Sequence, residues 1–296
     1  MLVADMRPEI PHPVLARTVG TRVGEGLGER GELDLDAAAR TLSVLAEYTK
    51  GARERGAEIV VVATSALRRA ENSQAFSQRV RERTGKSLRI LSGEEEARLS
   101  FRGAVGSLQH FEGTSGVLDV GGGSTEYATG SGSIPKSGRS HEIGAVRLTE
   151  RIPSLSGRRG TVDEQSLAQG FRIAAEALAP LSRERQIDRL LLVGGSATTT
   201  AAVASLDSTK APELSRQVLT QTLARLCSLD LEGRKAVAGM RPQRADILPA
   251  GIIILATAME LVRHSVAIVA PGDLLVGVLL EERERGTAAS EPKETE

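Results

Sequence analysis

Asp119-Val-Gly-Gly-Gly-Ser-Thr-Glu126 lies between two strand-like segments, Gly116 to Val120 and a second one beginning at Thr125. Three consecutive glycines let a backbone approach an anion and point successive N–H groups at it, while Ser124 and Thr125 add hydroxyl donors. Gly121, Gly122, Gly123, Ser124 and Thr125 are therefore candidate phosphate-binding residues. Asp119 and Glu126 bracket the loop as hard oxygen ligands for Mg²⁺, directly or through water, are required to do. The competing reading is a tight hairpin whose glycines only supply positive φ, but a hairpin alone does not call for a carboxylate on each side. A second turn, Val193-Gly-Gly-Ser-Ala-Thr198, follows the apolar run Arg189 to Val193 and opens a helix. Gly194, Gly195 and Ser196 form a second candidate anion site there. Glycines that merely let a strand and a helix pack closely would look the same.

Working outward, the pattern is one of strands alternating with helices. Leu2 to Met6 and Val14 to Val23 read as a hairpin around Pro8, Pro11 and Pro13. Asp34 caps a helix ending near Gly56, Ile59 to Ala63 is a strand, and a helix follows the turn Thr64-Ser65. Leu88 to Leu91 reads as a strand and Glu94 to Leu108 as a helix. Beyond the glycine break at 113–116, helices are expected over Asp163 to Ser182, Leu214 to Leu229 and Asp246 to Arg263. The expectation is an α/β protein with mostly parallel sheets covered by helices. It divides into an N-terminal domain, 1–115, a C-terminal domain, 116–282, and a disordered tail, 283–296, whose polar composition does not offset ordering entropy.

Composition narrows the function. Lys+Arg and Asp+Glu are both 38, so no global field holds a polyanion and nucleic-acid binding is not expected. The single cysteine, Cys227, excludes an internal disulfide and reads as a core thiol beside Leu223 and Leu226. No basic region precedes an apolar run at the N-terminus, and the most apolar stretch, Ile247 to Met259, is interrupted and too short for a bilayer. A cytoplasmic location and no membrane contact follow as expectations. Gly121 to Glu126 lacks the third glycine of a dinucleotide fingerprint, and Val80 stands where a Walker A loop before Gly85-Lys86-Ser87 requires glycine. His12, His110, His141 and His264 are dispersed without metal-ligand spacing, and neither Ser124 nor Ser196 sits in a nucleophile elbow.

Ala63-Thr-Ser-Ala-Leu-Arg68, then Asn72, then Leu91-Ser-Gly-Glu-Glu-Glu-Ala-Arg-Leu99, then Asp119 to Glu126 resemble, in order and spacing, the exopolyphosphatase/guanosine-pentaphosphate phosphohydrolase family. Weaker similarity runs through Ile143 to Leu148, Gly194 to Thr198 and Arg244 to Pro249 as far as Leu274 to Leu280, so the resemblance spans Leu2 to Glu282. It implies two ribonuclease H-like domains of the actin/sugar-kinase type, with paired phosphate loops and catalysis in the interdomain cleft. It also implies a glutamate that activates water for attack on the terminal phosphorus, here Glu96, and an arginine on phosphate, here Arg68. Read from the residues alone, Glu94 and Glu95 complement a helix dipole, and Arg69 is a solvated charge. The cofactor implied is Mg²⁺, held by Asp119 and Glu126, and the substrates are inorganic polyphosphate or guanosine pentaphosphate.

Members of that family begin with a strand and an Asp-x-Gly-(Thr/Ser)-Asn-(Ser/Thr) loop, whereas this sequence starts inside the following strand. The expectation is a first sheet with an unpaired edge, arising from a start at an internal methionine, the favoured reading because every other motif is intact, or from a degenerate paralogue. Two alternatives stand beside hydrolysis: a silent sensor of guanosine tetraphosphate or polyphosphate, and an acid or sugar kinase of the same fold. Self-association as a homodimer is left open.

Overall fold

The computed structural model describes residues 1–8, 10–108, 111–206 and 211–290. The N-terminal part runs β1 (Leu2–Asp5), β2 (His12–Ala16), α1 (Leu27–Arg30), α2 (Leu35–Arg53), β3 (Val61–Ala63), α3 (Ser65–Arg69), α4 (Ser73–Thr84) and β4 (Leu88–Ile90). The rest runs α5 (Gly93–Gly106), β5 (Thr114–Val120), β6 (Thr125–Ser131), β7 (Ile134–His141), α6 (Ala145–Arg151), α7 (Glu164–Leu178), β8 (Arg189–Val193), α8 (Gly194–Val203), β9 (Glu213–Ser215), α9 (Arg216–Cys227), α10 (Leu231–Lys235), α11 (Leu248–Leu261), β10 (Val266–Val269) and α12 (Leu274–Ser290).

In the first part, Asp34 Oδ1 accepts the N–H groups of Asp36 and Ala37 at 3.0 Å each, removing two orphan donors and fixing the start of α2. Its inner face, Ala38 and Leu42, packs with Leu67, Phe76 and Val80 of the next two helices and with Val61 of β3. β1 pairs antiparallel with β2, and β3 pairs parallel with β4. Among the described residues these are two separate two-stranded ribbons. The second predicted strand, Val14 to Val23, ends at Ala16, and the chain beyond it is irregular around Arg22, whose φ is 52°.

The second part is built on a six-stranded sheet in the order β7-β6-β5-β8-β10-β9. β5, β8 and β10 run parallel, whereas β6, β7 and β9 join antiparallel. The expected mostly parallel sheet is therefore corrected to a mixed one, because the glycine loop after β5 reverses the chain directly instead of leading into a crossover helix. One face carries the large core in which Leu118, Leu190 and Leu192 meet Leu178, Leu226 and the buried run Ile252 to Leu255. Cys227 lies in that core, and its burial pushes the thiol up to about 11.

The opposite face is covered by α5. Ala97, Phe101 and Ala104 of α5 pack on Val117, Ala128, Leu191 and Val193, while Leu99 meets Leu91 with Val62 beside it, so α5, placed in the N-terminal domain by the division at 115/116, packs on both parts. α12 lies against α5, and a Cβ on Gly277 would overlap the Leu99 carbonyl while one on Gly103 would overlap that of Asp273. α12 continues past Glu282, so the tail expected from 283 is helical to Ser290; Arg285 pairs with Glu281 at 3.1 Å and with Glu282 at 2.8 Å, the i,i+4 and i,i+3 support that composition alone does not reveal. Residues 291–296 and His110 lie outside the described residues. No helix among the described residues is long and apolar enough to cross a membrane.

Candidate active site

The register of the sheet assembles the carboxylates. Asp119 on β5 stands opposite Glu126 on β6, and Glu126 opposite Ser140 on β7, so the three side chains share one face. α5 crosses that face, and Glu96 and Ser100, one helical turn apart, point to the same side of the helix. Ser100 Oγ donates to Asp119 Oδ2 at 2.9 Å, and Ser140 Oγ donates to Glu126 Oε1 at 2.6 Å. From α3, Arg68 Nη1 donates to Glu96 Oε2 at 2.9 Å and to the Leu91 carbonyl at 2.8 Å, while Nη2 reaches Ser140 Oγ at 3.4 Å. Glu96, Arg68, Asp119 and Glu126, named from the sequence, thus belong to one connected constellation.

Its electrostatics are those of concentrated negative charge. Burial, with Asp273 and Glu96 nearby, pushes Asp119 up to about 7. Burial together with Glu96 and Asp119 pushes Glu126 up to about 8. Glu96 is also raised by burial, against the opposing pull of Arg68. Two facing carboxylates destabilise each other when ionised and are stabilised by a cation. Among the described residues no three His, Cys, Asp or Glu side chains converge as a metal group. Mg²⁺ typically keeps several waters and uses one or two carboxylates, so the pair Asp119 and Glu126 fits that ion.

The glycine loop is not a hairpin relaxed by positive φ, because none of Gly121, Gly122 and Gly123 adopts it. Its carbonyls are committed: Gly121 O accepts from Ala145 N and Gly122 O from Val146 N, both at 2.9 Å, which ties the loop to the start of α6. The N–H groups of Gly122, Gly123 and Ser124 have no partner among the described residues, leaving them available to an anion. A Cβ on Gly122 would come within 3.3 Å of Val146 Cγ2 and one on Gly123 within 3.2 Å of Ser65 Oγ, tight contacts in which those side chains must give by a few tenths of an ångström. The loop and Glu96 line a cleft of about 1030 Å³ whose other wall is built by residues 21–28 and by Thr64, Ser65 and Ala66.

Other predicted residues are placed differently. Thr125 Oγ1 donates to the Ile143 carbonyl at 2.6 Å and Ser196 Oγ to the Val120 carbonyl at 3.1 Å, so both hydroxyls hold backbone and are not directed at the cleft. The second glycine turn does not line the cleft but sits behind Asp119: Gly194 has φ 81° and its missing side chain leaves room for the Asp119 carboxylate. Gly195 leaves room for the guanidinium of Arg244, which has no hydrogen-bond or ion-pair partner among the described residues. Burial depresses Arg244, with Arg241 adding to the effect and Asp119 opposing it. Arg69 is an exposed charge, as read; it also lines the cleft, where it pairs with the exposed Glu142 at 3.4 Å. Glu95 forms a capping box with Ser92 and pairs with Arg89 at 3.1 Å, a structural role. Arg68 borders a second, more open recess with Arg139, Ser140 and His141. Ser140, Glu142 and Arg244 were missed: the first two lie on and beside a polar edge strand without a motif, and Arg244 was visible only as the first residue of Arg244-Ala-Asp-Ile-Leu-Pro249.

The chain from residue 2 to 285 matches the model of the Ppx/GppA phosphatase family. It is 34% identical over 304 residues to Exopolyphosphatase 2 of Mycobacterium tuberculosis, covering 95% of this chain and 93% of that protein. Its structure resembles the Aquifex aeolicus Ppx/GppA family member, with a TM-score of 0.76 and 29% identity over 93% of this chain and 90% of that one. An exopolyphosphatase from Cytophaga hutchinsonii shares the fold, with a TM-score of 0.86 at 24% identity over 96% of this chain and 94% of that one. With the actin-like α/β architecture and the match over nearly its whole length, the chain belongs to the Ppx/GppA phosphatase family.

Proposed function

We propose that the chain is a cytoplasmic, Mg²⁺-dependent hydrolase that removes the terminal phosphoryl group of inorganic polyphosphate, and of guanosine pentaphosphate, which ends in the same phosphoanhydride bond. The observation that carries this reading is the placement of Glu96 and Ser100 of α5 over the carboxylate row Asp119–Glu126, beside a glycine loop with three unused N–H groups. The similarity to the mycobacterial exopolyphosphatase supports polyphosphate as the substrate.

The terminal phosphoryl group is bound by the N–H groups of Gly122, Gly123 and Ser124, which meet its non-bridging oxygens. Asp119 and Glu126 hold Mg²⁺, which supplies charge neutralisation on the phosphate when bound. Glu96 accepts a proton from the attacking water as its oxygen bonds to phosphorus and the bridging P–O bond breaks. Burial keeps this carboxyl above the usual range, closer to the operating pH at which a general base is most effective. Arg68, bonded to Glu96 in the ligand-free chain, offers its guanidinium fork to the developing charge.

The test is phosphate release from polyphosphate and from guanosine pentaphosphate, with Mg²⁺ and no acceptor, by the parent and by Glu96→Gln. We expect release by the parent and a loss of ~10²–10⁴-fold in the variant, with affinity nearly unchanged. Tight binding without release would instead identify a sensor, and release only onto an added acceptor a kinase.

A further inference from the structure

Ser65 begins α3 and is only 3% exposed, yet its hydroxyl has no hydrogen-bond partner. Buried hydroxyls are rarely left so, because the donor and both lone pairs lose water without compensation. Four hydroxyls share this condition among the described residues, those of Tyr48, Ser65, Tyr127 and Thr199. Of these, Ser65 alone lines the cleft, in company with Glu96 and the glycine loop. Its Oγ faces that loop from the opposite wall, 3.2 Å from where a Cβ on Gly123 would stand. The side chains around it are otherwise committed: Arg68 to Glu96 and Leu91, and Arg69 to Glu142.

We propose that Ser65 is a substrate-contacting residue whose Oγ–H donates to a non-bridging oxygen of the phosphoryl group seated on the loop. The inference rests on the phosphohydrolase reading and adds a contact from the first body to a cradle supplied by the second. An alanine here would remove the uncompensated hydroxyl at no cost to packing, so the hydroxyl earns its place only when an anion is bound. The anion is then held from both walls.

The experiment uses the full chain with Glu96→Gln, so that the ligand is not consumed, and titrates sodium tripolyphosphate with Mg²⁺ by calorimetry. Ser65→Ala in that background should weaken binding roughly ten- to a hundredfold, the loss expected for one hydrogen bond to a charged group. Ser65→Thr, which keeps the hydroxyl, should recover most of it. The ligand-free melting temperature of Ser65→Ala should equal or exceed that of its parent. Equal affinities with and without the hydroxyl would overturn the assignment while leaving the phosphohydrolase reading intact. Weakened binding together with a lower ligand-free melting temperature would mark a structural hydroxyl and overturn it as well. If Glu96→Gln itself binds no tripolyphosphate, the phosphohydrolase reading and the Ser65 contact fall together.

Discussion

Asp119 and Glu126 are like charges in register on neighbouring strands, an arrangement that weakens a sheet unless something neutralises it. Burial and the neighbouring carboxylates push both groups well above their ordinary values of 3.8 and 4.5, to about 7 for Asp119 and about 8 for Glu126. The folded state therefore binds protons more tightly than the unfolded one. This contribution to stability is complete below the ordinary values and is lost as pH rises through the folded ones. Metal-free protein should accordingly melt at a lower temperature at about pH 8 than at about pH 5, and Glu126→Gln should flatten that slope. Mg²⁺ should restore more stability at the higher pH than at the lower one, because only the ionised pair binds it. A melting temperature independent of pH in the parent would show that neither carboxyl is strained by burial. At this scale the sequence was most legible where a motif named the residue. Glu96, Arg68, Asp119 and Glu126 lie close together, although of the four only Glu96 lines the cleft, whereas the Thr125 and Ser196 hydroxyls hold backbone, since composition cannot reveal which way a hydroxyl turns.

Where α5 and α12 cross, backbone meets backbone, and the two glycines at the crossing are packing devices. Gly277→Ala should destabilise the protein by about 1–3 kcal/mol, because the added methyl meets the backbone carbonyl of Leu99 and the two helices must part to admit it. Gly51→Ala is the matched control: it lies inside α2, where the nearest atom to a new Cβ is the end of Arg55 at 3.8 Å. That change should stabilise by about 0.5–1 kcal/mol. Denaturant midpoints of the two variants, measured side by side, check both signs. Elements with a strong periodic signal were read closely. β8 matches the apolar run Arg189 to Val193, because a strand buried on both faces has no polar alternation to obscure it. β7 was missed because it is an edge strand with mostly half-buried or exposed side chains, and β9 because it has only 3 residues. The placement of α5 was hidden for a different reason: its periodicity shows an amphipathic helix but not which sheet its apolar face covers.

Besides the contacts of Arg68, Arg69 and Arg89, the two bodies are tied along the cleft by further polar bonds. Arg22 donates to both oxygens of Asp246, at 2.8 and 2.6 Å, and Arg158 reaches the same carboxylate at 3.2 Å. Gly26 N donates to Glu150 at 3.0 Å further along the cleft. Asp246→Ala should loosen this closure, seen as a larger radius of gyration in solution scattering and a higher KM with kcat less affected. The loss of stability should fall below the about 3–5 kcal/mol typical of breaking a buried pair, since the Arg22 and Arg158 side chains are 28% and 61% exposed and regain water. An unchanged radius and KM would mean that the ion pair does not hold the walls together.

Arg22 makes its tie from a backbone held at φ 52°, a conformation that a residue with a long side chain adopts at a cost. The strain sits at the very point where the walls are joined. Glycine would occupy that φ without cost but carries no guanidinium, so the tie to Asp246 is kept at the expense of local backbone strain.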